Sequence, residues 1–361
     1  MTAEEIVNNT LAFLSQSSSS EEAFNEQALS LFRYQYENNL PYQTYCRAKR
    51  KTPRLVKSWT EIPAVPIDAF KEVPLSCTGI ETAVATFMTS GTTTGARGKH
   101  YHSTLEVYDQ SMKTVFKKKF MRNDEHIPMG ILFPKRELMP NSSLAHYLAL
   151  AAETFSGNDF TYFVDDRGLE TNELIQELAK REAAGTPYAL LGASFSFVHL
   201  FEALERQGRR FSLPKGSKLL DTGGFKNQSK ELDLALFYQK MKDFLGVEPE
   251  NCINMFGMTE LSTQFYDDGN AVIPSEKSGP HWIRTRVVDP MTGEDQPDGE
   301  PGVLVHYDLA NMNSVAAILT EDMGVKKENG FLFLGRVEGA EAKGCSLALE
   351  SFIQATKGAL T

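Results

Sequence analysis

The chain has 361 residues, 41% hydrophobic and 23% charged, the balance of a globular protein long enough to bury a large core. Its formal net charge of -10 argues against a nucleic-acid-binding surface, and its four cysteines, Cys46, Cys77, Cys252 and Cys345, are too dispersed for a zinc site. Residues 1–14 lack a basic leader segment and no apolar run approaches the ~20 residues of a membrane span, so a cytoplasmic chain with reduced thiols is expected.

In chain order, residues 1–50 read as helical, with Val7, Leu11 and Leu14 and then Phe24, Ala28 and Leu31 at helical spacing around a serine-rich loop at 17–20. Pro63, Pro66 and Pro74 favour extended structure over 59–75. Residues 83–88 read as a strand, 89–99 as a loop and 104–120 as a helix, the strand–loop–helix unit at which open α/β sheets hold phosphates. The alternation continues with strands at 129–133, 159–164, 188–192 and 218–220 and helices at 144–155, 171–181, 197–207 and 230–245. It predicts a mainly parallel sheet covered by helices. Beyond about 265, Gly, Pro and Asp turns separate short runs at 282–288 and 303–308, which suggests an antiparallel or barrel-like subdomain.

Four segments carry candidate chemistry. The first, Thr89-Ser90-Gly91-Thr92-Thr93-Thr94-Gly95-Ala96-Arg97-Gly98-Lys99, packs five hydroxyl side chains and three glycines into eleven residues. Its backbone N–H groups, its hydroxyls and a terminal lysine can surround the phosphates of a nucleotide. It also suits a polar surface turn. It is not a Walker loop, because His100 follows Gly98-Lys99. In the second, 219–225, a strand enters Gly223-Gly224-Phe225, which can flank an adenine ring or form a plain turn. In the third, 254–260, Phe256 offers a flat apolar face and Gly257 close approach. Thr259 offers a hydroxyl to phosphate and Glu260 a hard oxygen to Mg²⁺; a capped strand end reads equally well. In the fourth, Asp322 can accept from ribose hydroxyls and Arg336 can pair with phosphate or ribose, or both are ordinary turn charges.

Together and in this order, the four segments resemble the adenylate-forming superfamily, which includes acyl- and aryl-CoA ligases, firefly luciferase and peptide-synthetase adenylation domains. The resemblance spans about residues 85–345. It implies that Thr89, Ser90, Gly91, Thr92, Thr93, Thr94, Gly95 and Lys99 hold the phosphates of ATP. It implies that Gly223, Gly224 and Phe256 enclose adenine, with Phe225 and Gly257 also in the cofactor site, that Thr259 contacts phosphate, that Glu260 binds Mg²⁺, and that Asp322 and Arg336 hold ribose. His146 lies where members of the superfamily often carry a histidine that orients the carboxylate, although a lone histidine on an apolar helix more often packs.

Departures narrow the resemblance. The phosphate loop has one extra residue before Lys99. Only 25 residues follow Arg336, and Val337-Glu338-Gly339 stands where a hinge aspartate is usual, so the C-terminal lid domain is expected to be truncated. This short form, ending Gly335-Arg336-Val337-Glu338-Gly339-Ala340-Glu341-Ala342-Lys343-Gly344-Cys345, is similar to the acyl-protein synthetases, the fatty-acid-activating component of bacterial bioluminescence reductase complexes. That similarity implies transfer of the acyl group from acyl-AMP to a C-terminal cysteine and then to a cysteine of a partner acyl reductase. Cys345, 16 residues from the end, is the candidate acceptor, and Lys343 is expected to favour its thiolate. Read alone, Cys345 is a small buried hydrophobe.

The expected fold is α/β: an adenylate-forming large-domain fold with mainly parallel sheets flanked by helices and a smaller β-rich subdomain. The expected organisation is a core over 1–335 (helical 1–80, α/β 81–265, β-rich 266–335) and a short C-terminal segment, 336–361, carrying Cys345. The expected function is ATP- and Mg²⁺-dependent activation of a fatty acid to acyl-AMP, with transfer to a cysteine thiol and on to an acyl reductase or other acyl-accepting protein. The alternatives are a ligase serving coenzyme A or a carrier protein, with fatty or aryl acids, and a nucleotide-binding subunit without turnover.

Overall fold

Apolar runs bounded by turns at 129–256 become buried strands. In a computed structural model, which describes residues 1–90, 96–223 and 233–357, the chain forms two compact units. The first comprises 1–112, 258–263 and 276–361; the second comprises 113–257 and 264–275.

The second unit is built on a six-stranded sheet in the order Phe265–Tyr266, Cys252–Phe256, Lys218–Thr222, Ala189–Ala193, Met129–Leu132, Phe160–Tyr162. All neighbours are parallel except Phe265–Tyr266, as the βα alternation predicts. The three strands at 129, 189 and 218 are buried at every position, which is why they read as continuous rather than alternating apolar runs. Helices Ser143–Phe155, Thr171–Ala184, Ser194–Arg206 and Leu234–Leu245 accompany the strands. Ser142 caps the first by accepting from the Ala145 N–H, and Asp233 caps the last by accepting from the N–H groups of Ala235 and Leu236. Phe197, Phe201, Phe237 and Phe244 bury one helix pair against Leu190 and Leu219 of the sheet. The helix expected over 230–245 starts at Leu234, and the part of it before 233 lies outside the described residues.

The first unit carries the antiparallel part. Glu276–Lys277, Phe331–Arg336, Ala317–Lys326, Pro301–Asp308 and Ile283–Val288 form successive antiparallel strands, and Val65–Pro66 adds a parallel edge against Ile318 and Leu319. Helices Ala3–Leu14, Glu21–Asn38 and Leu40–Ala48 open the unit, with Thr2, Ser20 and Asn39 as N-caps. The proline-rich stretch is extended at Val65–Pro66 but also holds a helical turn, Ala69–Glu72.

Two local expectations change. Residues 89–98 do not lead from a strand into a helix. They join Ala85–Met88 to a second strand, Lys99–His102, in an antiparallel hairpin with Met88 opposite Lys99, and the helix begins only at Glu106. The inward positions of that second strand are His100 and His102, both buried, so its alternation carries no aliphatic signal. The C-terminal segment is a long helix, Gly339–Thr356, whose glycines at 339 and 344 weaken its propensity signal. It packs on the Leu40–Ala48 helix through Tyr45 and Phe352, whose ring centroids lie 5.0 Å apart.

Candidate active site

The ends of the hydroxyl-rich loop are pinned together. The Thr89 N–H donates to the Gly98 carbonyl at 3.0 Å, and the Gly98 N–H returns to Thr89 Oγ1 at 3.0 Å. Gly91, Thr92, Thr93, Thr94 and Gly95 lie outside the described residues. Ser90 and Lys99 are exposed, and among the described residues Lys99 forms no ion pair.

Glu260 lies against this hairpin base. A Cβ at Gly98 would stand 3.0 Å from Glu260 Oε1 and 3.2 Å from Thr89 Cγ2, so a side chain there would press on the carboxylate; glycine lets the two approach. Glu260 is 4% exposed, and no described lysine or arginine forms an ion pair with it. Burial lifts its carboxyl to about 7, only partly opposed by its own backbone N–H and by Arg336 and Lys71.

Three residues from distant parts of the sequence hold this segment. His100 Nδ1–H donates to the Thr259 carbonyl at 3.0 Å, which leaves Nε2 to accept from Ser314 Oγ at 3.1 Å. Burial pulls His100 down to about 4, so the ring is neutral, as that arrangement requires. Asn311 Nδ2 donates to the Glu260 carbonyl at 2.7 Å. Asp308 then accepts from the N–H groups of Ser262 and Thr263 at 3.0 and 2.9 Å and from Thr263 Oγ1 at 2.7 Å. Sequence reading singled out none of the three. Asn311 and Asp308 reach back across more than forty residues, and His100 looked like a loop residue.

Asp322 and Arg336 face one another on paired strands. Arg336 Nε meets Asp322 Oδ1 at 3.2 Å and Nη1 meets Glu321 Oε2 at 3.3 Å. Asp322 is buried, whereas the Arg336 side chain is half exposed. Two residues back on the Asp322 strand, the Thr320 carbonyl accepts from Cys345 Sγ at 3.6 Å. Cys345 is buried, and it faces a cavity of about 30 Å³ lined in part by Pro66, Asp68, Glu321 and Leu349. Burial pushes the thiol up to about 11, with the carboxylates of Glu321 and Asp68 adding to it. The expectation that Lys343 favours the thiolate is therefore overturned: burial and negative neighbours decide, and the docked thiol is protonated.

The second unit holds the remaining candidates. Thr222 Oγ1 donates to the Met255 carbonyl at 2.8 Å, tying the strand that leads to Gly223 to the strand that ends in Phe256. Asp221 accepts from Ser194 Oγ, Tyr238 OH and Asn254 Nδ2 at 2.9, 3.0 and 2.8 Å. Gly223 turns with φ +81°, a conformation side chains disfavour. Gly224 and Phe225 lie outside the described residues. Phe256 is half-buried with its ring 6.1 Å from that of Phe265, and a Cβ on Gly257 would crowd Met255 Sδ at 3.1 Å. His146 is half-buried on the Ser143–Phe155 helix.

This fold is that of adenylate-forming ligases. The chain matches a 2-hydroxyisobutyryl-CoA ligase in complex with 2-HIB-AMP with a TM-score of 0.63 at 16% identity, covering 88% of this chain and 68% of that one. It matches ATP-bound MatB from Rhodopseudomonas palustris with a TM-score of 0.53 at 16% identity over 72% of this chain, and it spans about half the length of that protein, 49%. The sequence profile of the family described as "Acyl-protein synthetase, LuxE" matches residues 3–353, and the chain belongs to that family of enzymes. It is 25% identical over 336 residues to the long-chain-fatty-acid–luciferin-component ligase of Aliivibrio fischeri, covering 90% of this chain and 86% of that one. It is 24% identical over 330 residues to the ligase of the same name from Vibrio harveyi, covering 88% and 85%. Among the described residues, no helix is long and apolar enough to cross a membrane.

Proposed function

We propose that the protein activates a long-chain fatty acid with ATP and passes the acyl group through Cys345 to a partner acyl reductase, feeding fatty aldehyde formation. The observation that carries the reading is Glu260, a buried carboxylate without an ionic partner among the described residues, set against the base of the hydroxyl-rich hairpin. A carboxylate held near pH 7 by burial ionises fully when a cation arrives, so the site suits a nucleotide that brings its own metal. Among the described residues no cluster of three or more metal-ligating side chains exists. That suits Mg²⁺, which takes one or two carboxylates and completes its shell with phosphate oxygens and water. Bound there, Mg²⁺ would neutralise phosphate charge.

In the first half-reaction a fatty-acid carboxylate oxygen attacks the α-phosphorus of ATP, the bond to the β-phosphate oxygen breaks, and pyrophosphate leaves. In this reading the residues from Thr89 to Gly95, with Lys99 and Thr259, hold the phosphates. Gly223, Gly224, Phe225, Phe256 and Gly257 bind adenine, Asp322 and Arg336 hold ribose, and His146 orients the carboxylate. His100, Asn311 and Asp308 position the Thr259-Glu260 segment. In the second half-reaction the Cys345 sulfur attacks the acyl carbon, the C–O bond to AMP breaks, and the thiol proton goes to water.

Labelled fatty acid with ATP and Mg²⁺ is expected to give a hydroxylamine-sensitive adduct that Cys345→Ser abolishes, with fatty-acid-dependent pyrophosphate exchange intact. An equal yield of adduct in that variant rejects Cys345 as acceptor. The burial and protonation of Cys345 favour a second reading, in which acyl-AMP goes to coenzyme A or a carrier protein. Thioester formed on free coenzyme A without a protein partner decides for that one.

A further inference from the structure

The cavity at Cys345 has about 30 Å³, the share of one water molecule, and cannot take a fatty chain. A second cavity of about 340 Å³ adjoins the same helix, and this volume falls in the range of roughly 300–1,000 Å³ typical of small-molecule sites. The helix divides its residues between the two. Cys345 and Leu349 line the small cavity, whereas Gly344, Leu347, Ala348 and Ser351 line the large one at i, i+3, i+4 and i+7. Leu319, in the strand beneath, lines both.

We propose that the large cavity is the resting site of the acyl chain once it is esterified to Cys345, so that the thioester waits with its chain sheltered beside the Gly339–Thr356 helix. This rests on the reading of Cys345 as the acyl acceptor. Two observations support the cavity's part in it. Its wall includes Ile62, Val288 and Val305, all buried, beside the charged side chains of Lys49, Arg286 and Asp289. Its rim carries two apolar side chains left open, Met291 at 60% and Leu347 at 43% exposure, which an acyl chain would cover. The proposed occupant is tethered at one end to sulfur, which distinguishes it from a free nucleotide or an acidic peptide.

The test uses the full chain with ATP, Mg²⁺ and a 14-carbon fatty acid bearing a terminal diazirine. After the acyl-enzyme forms, irradiation is expected to cross-link the chain terminus within 288–293, 347–351 or Ile62. Cross-links confined to other segments overturn the inference. Ala348→Trp fills the cavity from the helix and Thr292→Trp fills it from an exposed turn that tolerates change. Both are expected to shorten the half-life of the hydroxylamine-sensitive adduct at least tenfold, with fatty-acid-dependent pyrophosphate exchange within twofold of the parent. An unchanged half-life in both variants also overturns it. If the parent shows exchange but no adduct on Cys345, the acceptor reading fails and the inference falls with it. Adduct formation with cross-links elsewhere removes the cavity alone.

Discussion

Asp221 in the second unit and Glu260 in the first are buried to nearly the same depth, at 2% and 4% exposure. Asp221 accepts hydrogen bonds from three side chains that belong to two helices and the neighbouring strand. Those bonds supply what water supplied, and they lock the parallel strands in register just before Gly223. Glu260 has a scaffold around its backbone, from His100, Asn311 and Asp308, yet its carboxylate pairs with no described cation and its proton affinity is raised. In the second unit the buried carboxylate of Asp221 holds shape. In the first that task falls to the buried carboxylate of Asp308 with His100 and Asn311, and the Glu260 carboxylate is left unmatched, which is how a protein keeps a group ready for something it must bind.

Substitutions at the two positions should therefore diverge. Asp221→Ala removes a carboxylate with three donors and is expected to cost about 4 kcal/mol, the loss of a satisfied buried charge. The reading is hydrogen exchange in strands Ala189–Ala193, Lys218–Thr222 and Cys252–Phe256; undiminished protection there would cancel the distinction from Glu260. Glu260→Gln should act in the opposite sense on stability. A carboxyl whose folded value is raised to about 7 from 4.5 binds its proton more tightly in the folded state. Wild-type stability therefore falls as pH rises through that window, by roughly 3 kcal/mol once above it. Without added nucleotide, Glu260→Gln is expected to be more stable than wild type at pH 8 by about that amount and equal to it near pH 4.5. Trp59 and Trp282, the two tryptophans, both lie in the first unit, so tryptophan fluorescence in urea follows the relevant transition.

The same variant is expected to lose about 100-fold or more of fatty-acid-dependent pyrophosphate exchange, the scale of removing one well-placed electrostatic group. Full exchange would leave Glu260 a mere oddity of packing. The smallest effect belongs to Arg336. Its half-exposed pairs with Asp322 and Glu321 contribute within about 1 kcal/mol, so Arg336→Ala should barely move the urea midpoint. Its KM for ATP is expected to rise about tenfold if the side chain holds nucleotide; an unchanged KM would make it an ordinary surface charge.

The parallel half of the fold was legible because fully buried strands read as short continuous apolar runs and the amphipathic helices between them carry their own period over residues 129–256. The antiparallel half was legible as turns and short runs from 282 onward. The hairpin strand at Lys99–His102 was not, because its inward residues are the buried histidines His100 and His102, of which His100 bonds Thr259 and Ser314, and neither gives an aliphatic signal. The C-terminal helix was obscured by its glycines. In the candidate site, Glu260, Asp322 and Arg336 could be picked out because motif order is a property of the chain. The residues that set the state of Glu260 could not, since Asp308 and Asn311 act through contacts that only folding creates.

The docking of Cys345 under the Thr320 carbonyl bears on how the protein ages. Peroxides and disulfides attack thiolates, and attack needs access. With the thiol pushed up to about 11, only about one molecule in ten thousand carries the thiolate at pH 7, and that sulfur is buried. A chain with its helix in place should pass through oxidative episodes with its one C-terminal sulfur unspent, while a surface cysteine of ordinary acidity would already have been consumed.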